Sequence, residues 1–137
     1  MIHVEMTEHP IEASLLEQKC APATSGARVS FHGVVRDHDH GKTVLSLTYE
    51  AHPSAEGVLD EVAREVKERH GLDAVALSHR VGDLSIGEAA LVAVVASPHR
   101  GESFRAIAEA VDLVKERLPV WKHQYFSDGT DEWVNCA

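Results

Sequence analysis

The sequence has only two cysteines, and it lacks the long apolar runs of a membrane protein. Cys20 and Cys136 form no CxxC pair, which argues against a disulfide framework. No stretch approaches the roughly 18 apolar residues of a membrane span. The first fifteen residues contain no basic segment followed by an apolar one, as a secretory signal would. These features predict a cytoplasmic protein whose two cysteines are both plain thiols.

The common catalytic and nucleotide-binding motifs are also absent. The sequence contains no GxSxG, P-loop, GxGxxG or HExxH motif, so nothing in it marks a nucleophilic hydrolase. The formal net charge of −9 argues against general nucleic-acid binding, which depends on Lys and Arg neutralising phosphates. A single small anion in a local basic pocket remains compatible with that charge.

The composition is that of one soluble globular domain. The chain has 137 residues, of which 44% are hydrophobic and 26% charged, and a chain of that length can bury a core without disulfides or metals. It contains no internal repeat and no low-complexity segment. We therefore expect a single domain spanning residues 1–137.

The apolar pattern predicts several strands. Alternating apolar and polar residues favour strands over 27–35, 43–51 and 73–81. A run that is apolar at every position, 89–97, favours a strand covered on both faces. Because only the polar loop 36–42 separates the first two strands, they are expected to pair antiparallel. Further elements are expected as follows: a short strand over 2–6, a short helix over 10–19, a turn over 82–88, and a strand running into a turn over 120–129.

Two longer helices complete the predicted fold. The first covers 54–70, with Ser54 as N-cap and Gly71 just beyond its end. The second begins with Ser97 as N-cap and Pro98 at the first helical position, and Pro119 ends it. Both helices carry an apolar stripe. The element order predicts an α+β fold with a mostly antiparallel or mixed sheet.

Cations occur at the beginning of the second helix and around its end. His99 and Arg100 follow Pro98, where the free backbone N–H groups of a helix start favour binding of an anion. A solvated arginine and a polar loop histidine with no ligand would give the same sequence pattern. Lys115 and Lys122 lie on either side of Pro119, so the break could turn both toward one site. Such lysines can act as acid, base or nucleophile. The simpler alternative is two surface lysines.

The loop RDHDHGK could hold a metal. Arg36 opens it, and His38, Asp39 and His40 have side chains that bind metals. A metal-dependent hydrolase is therefore one hypothesis. Neighbouring residues of a short turn do not build a preorganised ligand cage, however, so a polar hairpin turn is the preferred interpretation and no metal site is predicted.

Four segments of the sequence resemble a known protein family, and this resemblance takes the prediction of function further. VSFHGVVRDHDHG, LSLTYEAHPSAE, VALSHRVGDLSIGEAALVAVVASPHRGESFRA and VKERLPVWKHQYFSDG together resemble the catalytic, large subunit of molybdopterin synthase. The resemblance runs from about residue 27 to residue 134. It implies an α/β hammerhead fold and a dimer of large subunits within a heterotetramer, in the cytoplasm.

The resemblance also implies a reaction. In this family a small ubiquitin-like partner inserts its C-terminal Gly-Gly tail, which ends in a thiocarboxylate, into the large subunit. Its sulfur passes to cyclic pyranopterin monophosphate and forms the dithiolene of molybdopterin. No cofactor is expected. An alternative from another class is a non-catalytic scaffold that binds a ubiquitin-like tail.

Six residues match the family's site positions. The family's catalytic lysines fall on Lys115 and Lys122, and its substrate-binding residues fall on Phe31, Arg36, His99 and Arg100. Arg100 and Lys115 are fifteen residues apart, which is roughly 22 Å along one helix. That distance is too long for one small substrate, so we expect His99 and Arg100 to serve the pocket of the neighbouring chain of a dimer.

Overall fold

The structure, a computed structural model, describes residues 1–135. Cys136, the second predicted thiol, lies outside the described residues. Between residues 1 and 135 the chain forms nine strands and three helices, and none of these helices is long and apolar enough to cross a membrane. In chain order they are β1 (Ile2–Thr7), α1 (Ala13–Lys19), β2 (Ala27–Val34), β3 (His38–Asp39), β4 (Lys42–Ala51), α2 (Ala55–His70), β5 (Ala74–Arg80), β6 (Gly82–Ser85), β7 (Ala89–Ser97), α3 (Arg100–Arg117), β8 (Val120–Phe126) and β9 (Asp131–Val134).

The strands form two sheets, and the fold is α+β as expected. The first sheet has the order β1-β5-β7-β2, with β1 and β5 parallel and the other pairs antiparallel. The second is antiparallel, in the order β3-β4-β8-β9 with β6 also paired to β4. The expected pairing of 27–35 with 43–51 is wrong, because β2 pairs with β7 and the chain then crosses to the second sheet. Periodicity shows which face of a strand is buried, but it does not identify the neighbouring strand.

The core lies on both faces of the first sheet. One face packs against α2 and α3, whose buried residues include Leu59, Val62 and Val114. The opposite face packs against α1 through Leu16 and also covers Cys20. Every residue of β5 is buried, as is every residue of β7 after Ala89. This two-sided burial confirms the interpretation of the continuous apolar run 89–97.

The ends of the long helices differ in how well the sequence predicted them. Gly71 ends α2 in the left-handed conformation with φ 63°, as expected for a residue without a Cβ. The predicted start of α3 is wrong, because Ser97 is the last residue of β7 and His99 is the N-cap. The Ser97 hydroxyl donates to the His99 carbonyl at 2.7 Å and lies 2.5 Å from the Ser103 hydroxyl. It therefore ties the strand end to the helix instead of capping a backbone N–H.

Three short strands were not predicted. β3 lies within the expected polar loop 36–42, β6 occupies part of the expected turn over 82–88, and β9 lies in the segment that closes the chain. β6 buries only Leu84, and β9 has no fully buried residue. Such strands leave little apolar periodicity in the sequence, because the neighbouring strand rather than the core holds them in place.

Candidate active site

A cavity of about 260 Å³ opens between the two sheets at the end of α3. Its lining comes from the end of β2 and the loop after it, from β4 and β8 of the second sheet, and from the last turn of α3. Three of the predicted site residues, Arg36, Lys115 and Lys122, line it together. The cavity therefore gathers three cations on a chain whose overall charge is negative.

The two lysines reach the cavity from different elements. Lys115 is an exposed residue in the last turn of α3. Lys122 is half-buried in β8 and lies opposite Tyr49 of β4 in the antiparallel ladder. The break at Pro119 separates the helix from the strand, as the sequence analysis suggested. Two residues seven positions apart are thus placed on the same cavity by a change of element.

A hydrogen-bonded network holds the rim of the cavity. Gln124, which is buried, donates from Nε2 to Asp39 Oδ2 at 2.8 Å and to Glu132 Oε1 at 3.1 Å. The Arg36 guanidinium donates to Asp39 Oδ1 at 3.4 Å. The hydrogen bond from Gln124 lowers the pKa of Asp39, and the charges of His40, Lys122 and Arg36 lower it further against partial burial. Asp39 is therefore an anion that anchors Arg36 beside the lysines.

The three residues considered for a metal site, His38, Asp39 and His40, do not all come together as one set of ligands. In the part of the chain that the structure describes, one group of potential ligand atoms lies within 4.8 Å, and it comprises Asp39, His40 and Glu132. His38 is not part of that group and instead bonds the neighbouring Asp37 at 2.8 Å. The Gln124 amide already donates to both carboxylates of the group. The geometry supports the interpretation of a polar hairpin loop.

A buried histidine forms the floor of the cavity, and the sequence analysis passed over it. His79 lies near the end of β5, is 1% exposed and still lines the cavity. Its Nδ1 donates to the Arg80 carbonyl at 2.8 Å, and its ring meets Tyr49 edge to face, with centroids 4.9 Å apart. Burial, together with a smaller effect of the Lys115 charge, lowers the pKa of His79 to about 4, although the hydrogen bond to the Arg80 carbonyl acts in the opposite direction. His79 is therefore neutral at physiological pH.

Arg80, the next residue, is a buried structural support. Its guanidinium donates to Glu88 Oε2 at 2.9 Å and to the carbonyls of Glu8 and Asp83, each at 3.2 Å. It therefore joins the chain after β1 to the chain around β6. The pair His79-Arg80 at the end of a fully buried strand is the sequence signal that could have identified this corner of the site.

The other three predicted site residues lie outside the cavity. Phe31 is half-buried on β2 and packs beside Gly33, where an added Cβ would lie 3.3 Å from the phenylalanine ring. Since Gly33 lines the cavity, Phe31 supports the wall behind it. His99 and Arg100 line a separate, shallow pocket at the start of α3 with Gly26.

The separation between the two groups of cations follows from α3. The helix is continuous from Arg100 to Arg117, so Arg100 and Lys115 are roughly 22 Å apart along its axis. A single copy of the chain thus presents two basic sites, one at each end of the same helix.

Comparisons with known proteins agree on one family. Residues 6–117 match the family model described as MoaE protein. The molybdopterin synthase catalytic subunit of Bacillus subtilis (strain 168) is 36% identical over 135 residues, covering 98% of this chain and 85% of the relative. A molybdopterin synthase structure from Staphylococcus aureus is 32% identical, with a TM-score of 0.89 and 95% of each chain covered.

A more distant structure shares the fold. It is a complex of subunits 1 and 2 of the molybdopterin-converting factor from Helicobacter pylori 26695, with a TM-score of 0.76 and 16% identity, covering 96% of this chain and 88% of that one.

Proposed function

The chain belongs to the MoaE family of molybdopterin synthase catalytic subunits, and we propose that it transfers sulfur to a phosphorylated pterin in the cavity that holds Lys115 and Lys122. The observation that carries this proposal is the convergence of Arg36, Lys115 and Lys122 on one cavity. The substrate proposed from the family resemblance is cyclic pyranopterin monophosphate, and the product is the dithiolene of molybdopterin, formed in the cytoplasm.

The sulfur is proposed to come from a partner protein. The H. pylori structure is a complex of two subunits, and the family resemblance implies a small ubiquitin-like partner with a C-terminal Gly-Gly thiocarboxylate. A Gly-Gly tail has no side chains, so it fits a narrow opening and can bring its terminal sulfur close to a lysine. Within residues 1–135 the one thiol is Cys20, which lies away from the cavity, and burial raises its pKa to about 11. That thiol is poorly suited to supply the sulfur.

The cations of the cavity suit the proposed chemistry. The tail's carbon–sulfur bond breaks as water adds to its carbonyl carbon, and the tail is released as a carboxylate. On the pterin a new carbon–sulfur bond forms as a carbon–oxygen bond breaks, so each transfer exchanges one substrate oxygen for sulfur and that oxygen leaves with a proton. Negative charge develops on the substrate as the bonds change, and a lysine ammonium can stabilise that charge or donate a proton. Arg36, anchored by Asp39, is suited to the substrate phosphate.

The second basic site is proposed to act across a homodimer. His99 and Arg100 lie at the far end of α3 from Lys115, so they cannot easily contact the same small substrate within one chain. A two-fold dimer would bring the start of one α3 toward the cavity of the other chain. With one small subunit bound to each large subunit, the assembly is a heterotetramer.

The direct test is reconstitution with a defined partner. The purified chain is mixed with a ubiquitin-like sulfur-carrier subunit bearing a C-terminal thiocarboxylate and with cyclic pyranopterin monophosphate, and molybdopterin is quantified. The same partner with an ordinary carboxylate is the matched control. We expect product only with the thiocarboxylate. The absence of product from a folded complex would contradict the proposed function.

A further inference from the structure

His79 is a polar side chain in a position where packing alone would favour an apolar one. It continues the row of Val75 and Leu77 along the face of β5 that packs against the helices, and those two residues are fully buried. Its ring is 1% exposed, yet it lines the same cavity as Lys115 and Lys122. A histidine is costly in such a place unless its polar atoms have partners.

The hydrogen bond to Arg80 fixes the tautomer of the ring. A carbonyl oxygen can only accept, so Nδ1 of His79, 2.8 Å from the Arg80 carbonyl, carries the proton. In a neutral imidazole the other nitrogen, Nε2, then carries no proton and can only accept a hydrogen bond. His79 therefore brings a side chain with a fixed acceptor nitrogen to the lining of the cavity, and the proposed chemistry does not yet use it.

The titratable groups that line the cavity with His79 come from five other parts of the fold: the loop after β2, β3, β4, α3 and β8. Besides His79 of β5, the titratable side chains lining the cavity are Arg36, His38, Asp39, Tyr49, Lys115 and Lys122. Asp39 already accepts from Gln124 and Arg36. Tyr49 contacts the His79 ring and lies opposite Lys122 in the second sheet. The charge of Lys115 acts on His79 and helps to lower its pKa.

We propose that His79 is a positioning residue whose unprotonated Nε2 accepts a hydrogen bond from the Lys115 ammonium and holds that group in place for sulfur transfer. The edge-to-face contact with Tyr49 keeps the imidazole from rotating, and the Arg80 carbonyl keeps its proton on Nδ1. This role rests on the proposed function for its catalytic consequence, but the contact itself can be measured without any reaction.

Two substitutions separate the two nitrogens of the ring. His79→Asn keeps a donor near the position of Nδ1 and removes the acceptor at Nε2, whereas the longer side chain of His79→Gln can place its carbonyl oxygen there. In the reconstituted complex we expect His79→Asn to lower kcat about 10- to 100-fold with KM for the pterin changed less than about 3-fold, because a displaced reacting group affects the chemical step. His79→Gln should recover most of that loss. His70→Asn, which changes a partly buried histidine outside the cavity, is the matched control.

A spectroscopic measurement on the unreacted protein tests the contact without a His79 variant. The imidazole ¹⁵N resonances report which nitrogen carries the proton and whether the other one accepts a hydrogen bond. We expect the Nε2 resonance of His79 to move toward that of a free acceptor in Lys115→Met and to stay unchanged in Lys67→Met.

The outcomes distinguish this proposal from the one on which it rests. His79 does not position the lysine if product forms but the Nε2 resonance is unchanged in Lys115→Met. The same conclusion follows if His79→Asn keeps kcat within about 3-fold of wild type. Equal impairment of His79→Asn and His79→Gln in folded protein would also overturn the role. If the resonance responds but the wild-type complex makes no product, the contact stands and the proposed function fails.

Discussion

Tyr49 and His79 meet edge to face across the gap between the two sheets, with ring centroids 4.9 Å apart and planes at 86°. Tyr49 belongs to β4 of the second sheet and His79 to β5 of the first. The contact therefore joins the two sheets at the floor of the cavity that Lys115 and Lys122 line. Because aromatic pairs favour this geometry, it fixes the sheets relative to each other where the proposed chemistry needs a rigid wall.

Burial of His79 predicts that the protein loses stability in mild acid. Its pKa is lowered from 6.5 to about 4, so the unfolded chain binds a proton more readily below pH 6.5 and the free energy of unfolding falls until the pH reaches about 4. At about pH 5 the lowered pKa of His79 is expected to reduce the free energy of unfolding by on the order of 2 kcal/mol. Urea unfolding of wild type and His79→Gln at about pH 7 and pH 5 measures it.

The His79→Gln variant should show a smaller loss between the two pH values, because glutamine does not titrate. The exposed residue His32 provides the control, and His32→Gln should keep the wild-type difference. An identical pH dependence in wild type and His79→Gln would contradict the burial of the histidine.

Truncation of the Arg80 side chain is predicted to lower the free energy of unfolding. Arg80→Ala removes a buried guanidinium that donates to the Glu88 carboxylate and to two backbone carbonyls. We expect about 1–3 kcal/mol of lost unfolding free energy, because three hydrogen bonds, one of them to a carboxylate, are lost together with the packing of the buried side chain. Chemical denaturation provides the measurement. Arg64→Ala, which breaks an exposed pair with Asp60, should cost little by comparison, and equal effects of the two variants would count against the buried role of Arg80.

The close contact at Gly26 predicts that a substitution there disturbs the second basic site. A Cβ added there would lie 2.6 Å from the Pro98 carbonyl oxygen, so the backbone next to His99 and Arg100 must move. Gly26→Ala should cost about 1–3 kcal/mol of stability and reduce sulfur transfer. Gly57→Ala is the control, since an added Cβ meets nothing within 4 Å, and alanine should stabilise α2 by about 0.5–1 kcal/mol. Wild-type stability and activity in Gly26→Ala would show that this contact does not position the helix start.

The separation of Arg100 from Lys115 predicts complementation between inactive chains. Mixed dimers of Arg100→Ala and Lys115→Ala should recover part of the activity, because one of their two sites contains an intact arginine and an intact lysine. Differently tagged chains allow the mixed dimers to be purified and assayed. If purified mixed dimers are as inactive as either parent, the two basic sites do not share a substrate.

Long, continuous patterns in the sequence predicted the fold well. The run 89–97 correctly predicted a strand, because burial on both faces demands apolar residues at every position. The glycine after α2 correctly predicted the end of that helix, because a left-handed conformation there favours a residue without a Cβ. The pairing of β2 with β7 could not be predicted in the same way, since it depends on contacts between residues 55 to 70 positions apart. β6 and β9 were missed because so few of their residues are buried.

The site was predictable only in part. The positions of Lys115 and Lys122 around Pro119 were equally typical of two surface lysines, and it was the family resemblance that singled them out. The structure brings both to one cavity with Arg36. His79 was not recognisable, because a histidine within a buried strand acquires a possible role only when Tyr49, thirty residues earlier, packs against it. The pattern of one strand contains no information about such a contact.

The central claim is that Lys115 and Lys122 act together in sulfur transfer, and single-turnover conversion of cyclic pyranopterin monophosphate by the thiocarboxylated complex tests it most directly. Lys115→Ala and Lys122→Ala should each slow formation of molybdopterin at least about 100-fold, the scale of a lost proton donor or charge stabiliser. Both variants should fold and bind the partner normally, and Lys67→Ala on α2 should react at the wild-type rate. Near wild-type rates in both cavity variants would contradict the account.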